Sequence, residues 1–84
     1  MKRFKYVFYR YSQRKVDEYS SFEDALYDYV FDFDHCVAHG IGIYDQESKI
    51  LYLPNFFAEE QRNRSIKEIE KLGYKIKEVK TFEI

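Results

Sequence analysis

The sequence has no tryptophan, one cysteine, one proline and three glycines among its 84 residues. With Cys36 alone, an intramolecular disulfide is excluded, and the chain suits a reducing compartment, so we expect a cytoplasmic location. So little glycine and proline argues against a disordered or linker-like chain. No run of about 18 apolar residues is present, which argues against a membrane span. The length leaves room for one domain, residues 1–84.

Aromatic residues and zoned charge are what the sequence has in quantity. Nine tyrosines and eight phenylalanines make up 20% of the chain, and each large ring removes about 150–250 Å² from water when buried. The net charge is only −1, but residues 2–15 are basic, residues 17–47 are acidic and residues 61–80 are mainly basic. Either these blocks neutralise one another across the fold, or they form a dipolar surface that steers a charged partner.

The first half of the chain predicts strands followed by a helix. The aromatic and β-branched run from Phe4 to Tyr11 is typical of a strand. The pattern does not decide whether Val16–Tyr19 forms a short second strand. A helix is predicted over Phe22–Phe33, with Ser20 as its N-cap and Glu23 completing a capping box. Its buried stripe follows the spacing of an amphipathic helix: Phe22, Ala25, Leu26, Tyr29, Val30 and Phe33.

The second half predicts a hairpin, a second helix and a last strand. Val37–Tyr44 and Lys49–Leu53 form the hairpin, and Tyr74–Phe82 the last strand. The second helix covers Ala58–Leu72, with Asn55 as a candidate cap, and Gly73 suits the left-handed residue after a helix. The order is β-(β)-α-β-β-α-β. It predicts an α+β two-layer sandwich, with both helices on one face of a mainly antiparallel sheet of four or five strands. A ferredoxin-like arrangement is the natural candidate.

Residues that could carry chemistry are few. The segment Asp34–His39 holds His35, Cys36 and His39, but a closed zinc site needs four ligands and no second ligand pair exists. Cys36 and His35 or His39 could form a nucleophile pair, but no oxyanion hole accompanies them. Gly40 and Gly42 lie inside a predicted strand, not at a strand-to-helix turn, so they make no phosphate-binding loop. We therefore expect no enzyme activity, no metal and no cofactor.

The outer face of the first helix is the first candidate binding surface. Aromatic side chains fall among acids on the side opposite the buried stripe, and such a mixture is common at protein interfaces. The alternatives are that the rings pack against the second helix or the loop at Asn55–Phe57, or that a homodimer buries them. The candidate partner-binding residues are Asp24, Tyr27, Asp28, Phe31 and Asp34.

The uncovered face of the predicted sheet is the second candidate surface. With both helices on the other face, tyrosines and lysines would lie open there, where single-stranded nucleic acid could stack its bases. A dimer interface or cross-strand tyrosine pairs are the alternatives. The candidate nucleic-acid-binding residues are Lys5, Tyr9, Tyr11, Tyr44, Tyr52, Lys75 and Lys77.

The function that the sequence favours is therefore a small protein-binding module. It would act as a regulator, inhibitor or adaptor that docks a basic protein partner on the acidic aromatic helix face. Single-stranded nucleic-acid binding is the alternative function, and no membrane partner is expected.

Overall fold

The computed structural model describes residues 2–84, which form five strands and two helices. The elements, in chain order, are β1 (Phe4–Arg10), β2 (Gln13–Tyr19), α1 (Phe22–Asp34), β3 (His39–Asp45), β4 (Ile50–Pro54), α2 (Glu59–Lys71) and β5 (Glu78–Phe82). The predicted element order is confirmed. The strand left open at Val16–Tyr19 exists and is longer than expected, because it pairs with β1 along its whole length. Neither helix is long and apolar enough to cross a membrane within these residues.

The strands form one mixed sheet in the order β2-β1-β3-β4-β5. The first four strands pair antiparallel and β5 pairs parallel with β4, so the α+β class and the mainly antiparallel sheet are confirmed. The order differs from the ferredoxin-like arrangement, in which the strands on either side of each helix are parallel and separated by another strand. The strands that flank α1, β2 and β3, have this relation, because β1 lies between them and is antiparallel to both. The strands that flank α2, β4 and β5, are parallel but adjacent.

The two helices cover opposite faces of this sheet, so the prediction that both lie on one face is wrong. Phe4, Tyr6 and Phe8 of β1 pack with Tyr29 of α1 in one hydrophobic cluster, the α1 cluster. Val7, whose side chain lies on the other side of the same strand, packs with Ile69 of α2 in a second one, the α2 cluster. Five consecutive β1 residues are buried, which is typical of a strand covered on both sides.

A β-bulge in β3 explains a second difference from the predicted sheet. The register between β1 and β3 shifts between Val7 and Phe8, which pair with Gly42 and Gly40. The extra residue, Ile41, joins the α2 cluster, whereas Ile43 joins the α1 cluster. Regular alternation along a strand would place Ile41 and Ile43 on one face of the sheet. They lie on opposite faces, because a bulge reverses the alternation of side chains.

The buried side of α1 is rotated from the predicted stripe. Ala25, Tyr29 and Asp32 are its buried residues, whereas Phe33 is 49% exposed. Asp32 is stable in this position because the Tyr6 hydroxyl donates to its Oδ2 over 2.9 Å, and a hydrogen-bonded carboxylate can be buried. The N-cap is Ser21 and not Ser20, since the Ser21 Oγ accepts from the backbone N–H of Asp24.

The C-terminal elements differ from their predicted bounds and cap. Ala58 is the N-cap of α2, and its N–H donates to Gln61 Oε1 over 3.0 Å, so Asn55 is not the cap. Gly73 follows the helix with φ of +87°, as expected for that position. The last strand begins at Glu78 and not at Tyr74. Tyr74 instead packs against the α2 cluster.

The turn between β1 and β2 offers a direct test of backbone strain. Tyr11 and Ser12 have φ of 52° and 61°, the left-handed values that a two-residue hairpin turn requires and that favour glycine. We expect Ser12→Gly to raise the free energy of unfolding by about 0.5–1 kcal/mol, because glycine adopts this φ without steric cost. Urea denaturation of the two proteins measures the difference. An unchanged or lower stability would show that Ser12 is not strained.

Candidate functional site

The exposed flank of α1 forms an open groove of about 440 Å³ along the helix. Its walls are aromatic and aliphatic, and acids lie at both ends. Tyr27 is 70% exposed and Phe31 is 45% exposed, so neither ring packs against α2 or the loop before it. The groove is lined by Glu23, Leu26, Tyr27, Val30, Phe31, Asp34 and His35.

The five predicted partner-binding residues divide between the groove and its border. Tyr27, Phe31 and Asp34 line the groove. Asp24 lies on the exposed first turn of the helix, outside the groove lining. Asp28 is directed toward β2, where its Oδ2 accepts from the Tyr19 hydroxyl over 2.5 Å. This bond joins the helix to the sheet. Burial and the bond to Asp28 raise the pKa of Tyr19 above its usual range.

Sequence reasoning missed the aliphatic floor of the groove and its C-terminal end. The predicted buried stripe includes Leu26 and Val30, but both are only half-buried and line the groove. The signal was present in the sequence, since these residues follow Glu23 and Tyr27 by the spacing that places side chains on one helix flank. His35 closes the end of the groove. Its ring stacks on Phe31 with centroids 4.1 Å apart, and its Nδ1 lies 2.9 Å from the Phe31 carbonyl oxygen.

The predicted nucleic-acid-binding residues do not form one surface, because α2 covers the face on which they were placed. Tyr44 is 1% exposed and stacks on Tyr74 with centroids 5.0 Å apart. Lys5 is buried and forms an ion pair with Glu18, whose carboxylate oxygen lies 2.8 Å from the Lys5 Nζ. Tyr9 donates its hydroxyl to Glu68 of α2 over 2.8 Å. The expectation of an open sheet face is therefore wrong.

The remaining members of that set are scattered. Tyr52 lies on the α1 face, where its ring packs against Phe22 with centroids 4.8 Å apart. Tyr11 is 90% exposed, but it lies in the turn after β1. Lys75 and Lys77 are exposed in the segment between α2 and β5. These side chains have no common base-stacking surface, so the geometry does not favour nucleic-acid binding at this set.

The histidines and the cysteine do not assemble into a chemical centre. Within residues 2–84, no three His, Cys, Asp or Glu side chains are grouped as metal ligands would be. Cys36 is exposed, with φ of 53° in the turn after α1, and His35 is held against Phe31. What the arrangement around α1 can do is bind, through an apolar groove with carboxylates at its ends.

Comparisons with protein-family models, with curated proteins and with solved structures found no match to this chain.

Proposed function

We propose that this protein is a non-enzymatic protein-binding module that holds a basic, amphipathic segment of a partner in the α1 groove. The observation that carries the proposal is the exposure of Tyr27 and Phe31, 70% and 45%, above a half-buried floor of Leu26 and Val30. A contiguous apolar patch rimmed by polar residues is a mark of an interaction site. Tyrosine side chains are also enriched among interface residues that contribute most to affinity.

The charges of the groove select the chemistry of its occupant. Glu23 and Asp34 line its two ends, and Asp24 lies on the neighbouring first turn. No lysine or arginine lines the groove. A segment with apolar side chains on one face and lysine or arginine at its ends would therefore match the groove in shape and charge. A regulator, inhibitor or adaptor needs no more than such a surface on a small domain. The exposed thiol of Cys36 suits the cytoplasmic location that we propose with it.

The first test separates binding from folding. We expect Tyr27→Ala with Phe31→Ala to change the free energy of unfolding by about 0.5 kcal/mol or less, because exposed side chains contribute little. The same double variant should weaken binding of a synthetic amphipathic Leu/Lys peptide by about tenfold or more. Fluorescence anisotropy of the labelled peptide measures the affinity. Tyr11→Ala is the control, because that ring is even more exposed, at 90%, but lies outside the groove.

The peptide also tests the charge argument. A matched peptide with Glu in place of Lys should bind wild type weakly and should gain affinity for a variant with Glu23→Lys and Asp34→Lys. Loss of folding in the double alanine variant would show that the rings belong to the core. A peptide that binds the double alanine variant as tightly as wild type would exclude the groove as its site.

A further inference from the structure

The free edge of β2 carries hydrogen-bonding groups that no strand of residues 2–84 satisfies. β2 is the outer strand of the sheet beside β1. The two-residue turn joining them makes Arg10 and Gln13 a hydrogen-bonded pair. Because such pairs alternate along an antiparallel ladder, every second residue from Gln13 directs its backbone toward β1. The residues between them direct their N–H and C=O groups to the free edge: Arg14, Val16 and Glu18.

The charged residues of β2 are basic before the central residue of the strand and acidic after it. Val16 is the middle residue of the strand, Lys15 precedes it and Asp17 follows it. One step further out, Arg14 lies on the basic side and Glu18 on the acidic side. Charged side chains on an edge strand usually prevent pairing with other chains. In this order, however, the charges of β2 are complementary to those of a second β2 strand that runs antiparallel to it.

We propose that a second copy of this chain adds its β2 antiparallel to this edge, with Val16 opposite the partner's Val16 on a two-fold axis. Lys15 then lies opposite the partner's Asp17, and Arg14 lies opposite the partner's Glu18. The two-fold repeats both pairs, so four oppositely charged pairs flank the central valines. The contact is isologous and closed, which limits the assembly to a dimer.

The backbone and the charges specify the same register. Only registers that bring Arg14, Val16 and Glu18 opposite one another satisfy the outward backbone groups, so the alternatives differ by steps of two residues. A shift one way places Lys15 opposite the partner's Lys15. A shift the other way places Asp17 opposite the partner's Asp17. Like charges directly opposite each other are destabilising, so one register is favoured.

The charged side chains needed for this contact lie at the edge, and two of them already have an ion-pair partner in their own chain. Lys15 and Asp17 are exposed, and neither forms an ion pair within residues 2–84. Glu18 already binds Lys5, which lowers the Glu18 pKa and keeps this carboxyl ionised. Its second oxygen remains for the partner's Arg14. The Nη1 of Arg14 binds Glu68 of α2 over 2.9 Å, and the other N–H groups of the guanidinium remain to bind the partner's Glu18. Asp28 is the α1 residue that bonds to β2, while the groove lies on another flank of the helix, so the dimer leaves both grooves open.

Charge exchange at two positions tests the proposal. Sedimentation equilibrium of the wild-type chain should give a species of twice the 10.3 kDa chain mass. Lys15→Glu or Asp17→Lys alone should weaken self-association about tenfold or more, because two attractive cross-strand pairs become repulsive. The double variant should restore dimerisation. An equimolar mixture of the two single variants should form a mixed dimer, which native mass spectrometry distinguishes by mass.

Two controls make the result specific to β2. A mixture of Lys77→Glu and Glu78→Lys chains carries the same charge changes near the other edge, and each of these chains should dimerise as wild type does. Val16→Pro removes an N–H that faces the free edge, which an edge strand tolerates, and should give a folded monomer by circular dichroism and sedimentation. A wild-type monomer at millimolar concentration would overturn the proposal. So would a dimer that Lys15→Glu leaves unchanged, or single variants that do not form the mixed dimer.

Discussion

Replacing Gly40 with alanine is expected to lower the free energy of unfolding by about 3 kcal/mol. A Cβ at this position would lie closer than 3.0 Å to three atoms of the Tyr29 side chain, two in the ring and the hydroxyl oxygen. The ring cannot retreat easily, because it packs against Tyr6 and Phe82 with centroids 5.3 Å away in both cases. Its hydroxyl also donates to the Gly40 carbonyl over 3.3 Å. For a chain of this size, the midpoint temperature of thermal unfolding should decrease by about 15 °C.

Gly73→Ala is the matched control for that substitution. Apart from its two chain neighbours, no residue from 2 to 84 has an atom within 4 Å of a Cβ at Gly73, so the cost comes from its φ of +87°. We therefore expect a loss of about 1 kcal/mol there. Urea denaturation of the three proteins measures both values. If Gly40→Ala costs no more than Gly73→Ala, the close approach of Tyr29 to β3 is not a constraint on the fold.

Replacing Asp45 with alanine should cost about 3 kcal/mol at neutral pH, because it removes a buried carboxylate with several charge-assisted bonds. Asp45 is 1% exposed. Arg3 donates from Nε and Nη2 to its two oxygens over 2.8 and 2.7 Å. The Ser48 hydroxyl donates to Oδ2 over 2.6 Å, and the N–H of Glu47 donates to Oδ1 over 3.0 Å. Together these bonds join the start of β1 to the turn after β3.

The same carboxylate predicts how stability changes with pH. The Arg3 guanidinium, opposed in part by burial, holds the pKa of Asp45 well below its ordinary value of 3.8. A group with a depressed pKa in the folded state stabilises the protein fully above its unfolded pKa and loses that contribution as pH falls. The difference between wild type and Asp45→Ala should therefore be largest at neutral pH and shrink below about pH 5.

Glu47→Ala is the control for Asp45. Glu47 also approaches Arg3, at 3.8 Å, but its side chain is 73% exposed, so its removal should change stability by about 0.5 kcal/mol or less. Thermal unfolding of the three proteins from pH 7 to pH 3 measures both effects. A difference between wild type and Asp45→Ala that stays constant over this range would show that the carboxylate is not stabilised by its charge.

The sequence predicted those parts of the fold that depend on local pattern. Alternation in β1, amphipathic spacing in α1 and the glycine after α2 are local signals, and each gave an element of the right type. The placement of α2 depends on which side of the sheet the crossover from β4 to β5 takes, which no local pattern encodes. Phe4, Tyr6 and Phe8 alternate with residues that include Lys5 and Tyr9, and those two side chains favour an open opposite face. Their polar atoms in fact bond to Glu18 and Glu68.

The candidate site was predicted only in part, because local pattern does not show which side of a helix the tertiary structure buries. Tyr27 and Phe31 were placed outside the core by helical geometry, and they are exposed. The groove floor was missed because Asp32 occupies a buried position. With Asp32 buried and bonded to Tyr6, the buried side of the helix is centred on Ala25, Tyr29 and Asp32, and Leu26 and Val30 lie nearer the surface. Hydrophobicity alone assigns an aspartate to the exterior, so a buried, hydrogen-bonded aspartate shifts the whole predicted stripe.

Coverage of both sheet faces divides the interior into two compartments with different chemistry. The α1 side is packed with aromatic rings, including Phe4, Tyr6 and Tyr29, whereas the α2 side is mainly aliphatic, with Leu51, Leu53 and others. The two clusters have no residue in common, so substitutions in the two compartments should have additive energetic effects. We expect the compartments to unfold together, because β1, β3 and β4 each contribute side chains to both. One cooperative unit would then have two interiors that can vary in sequence independently.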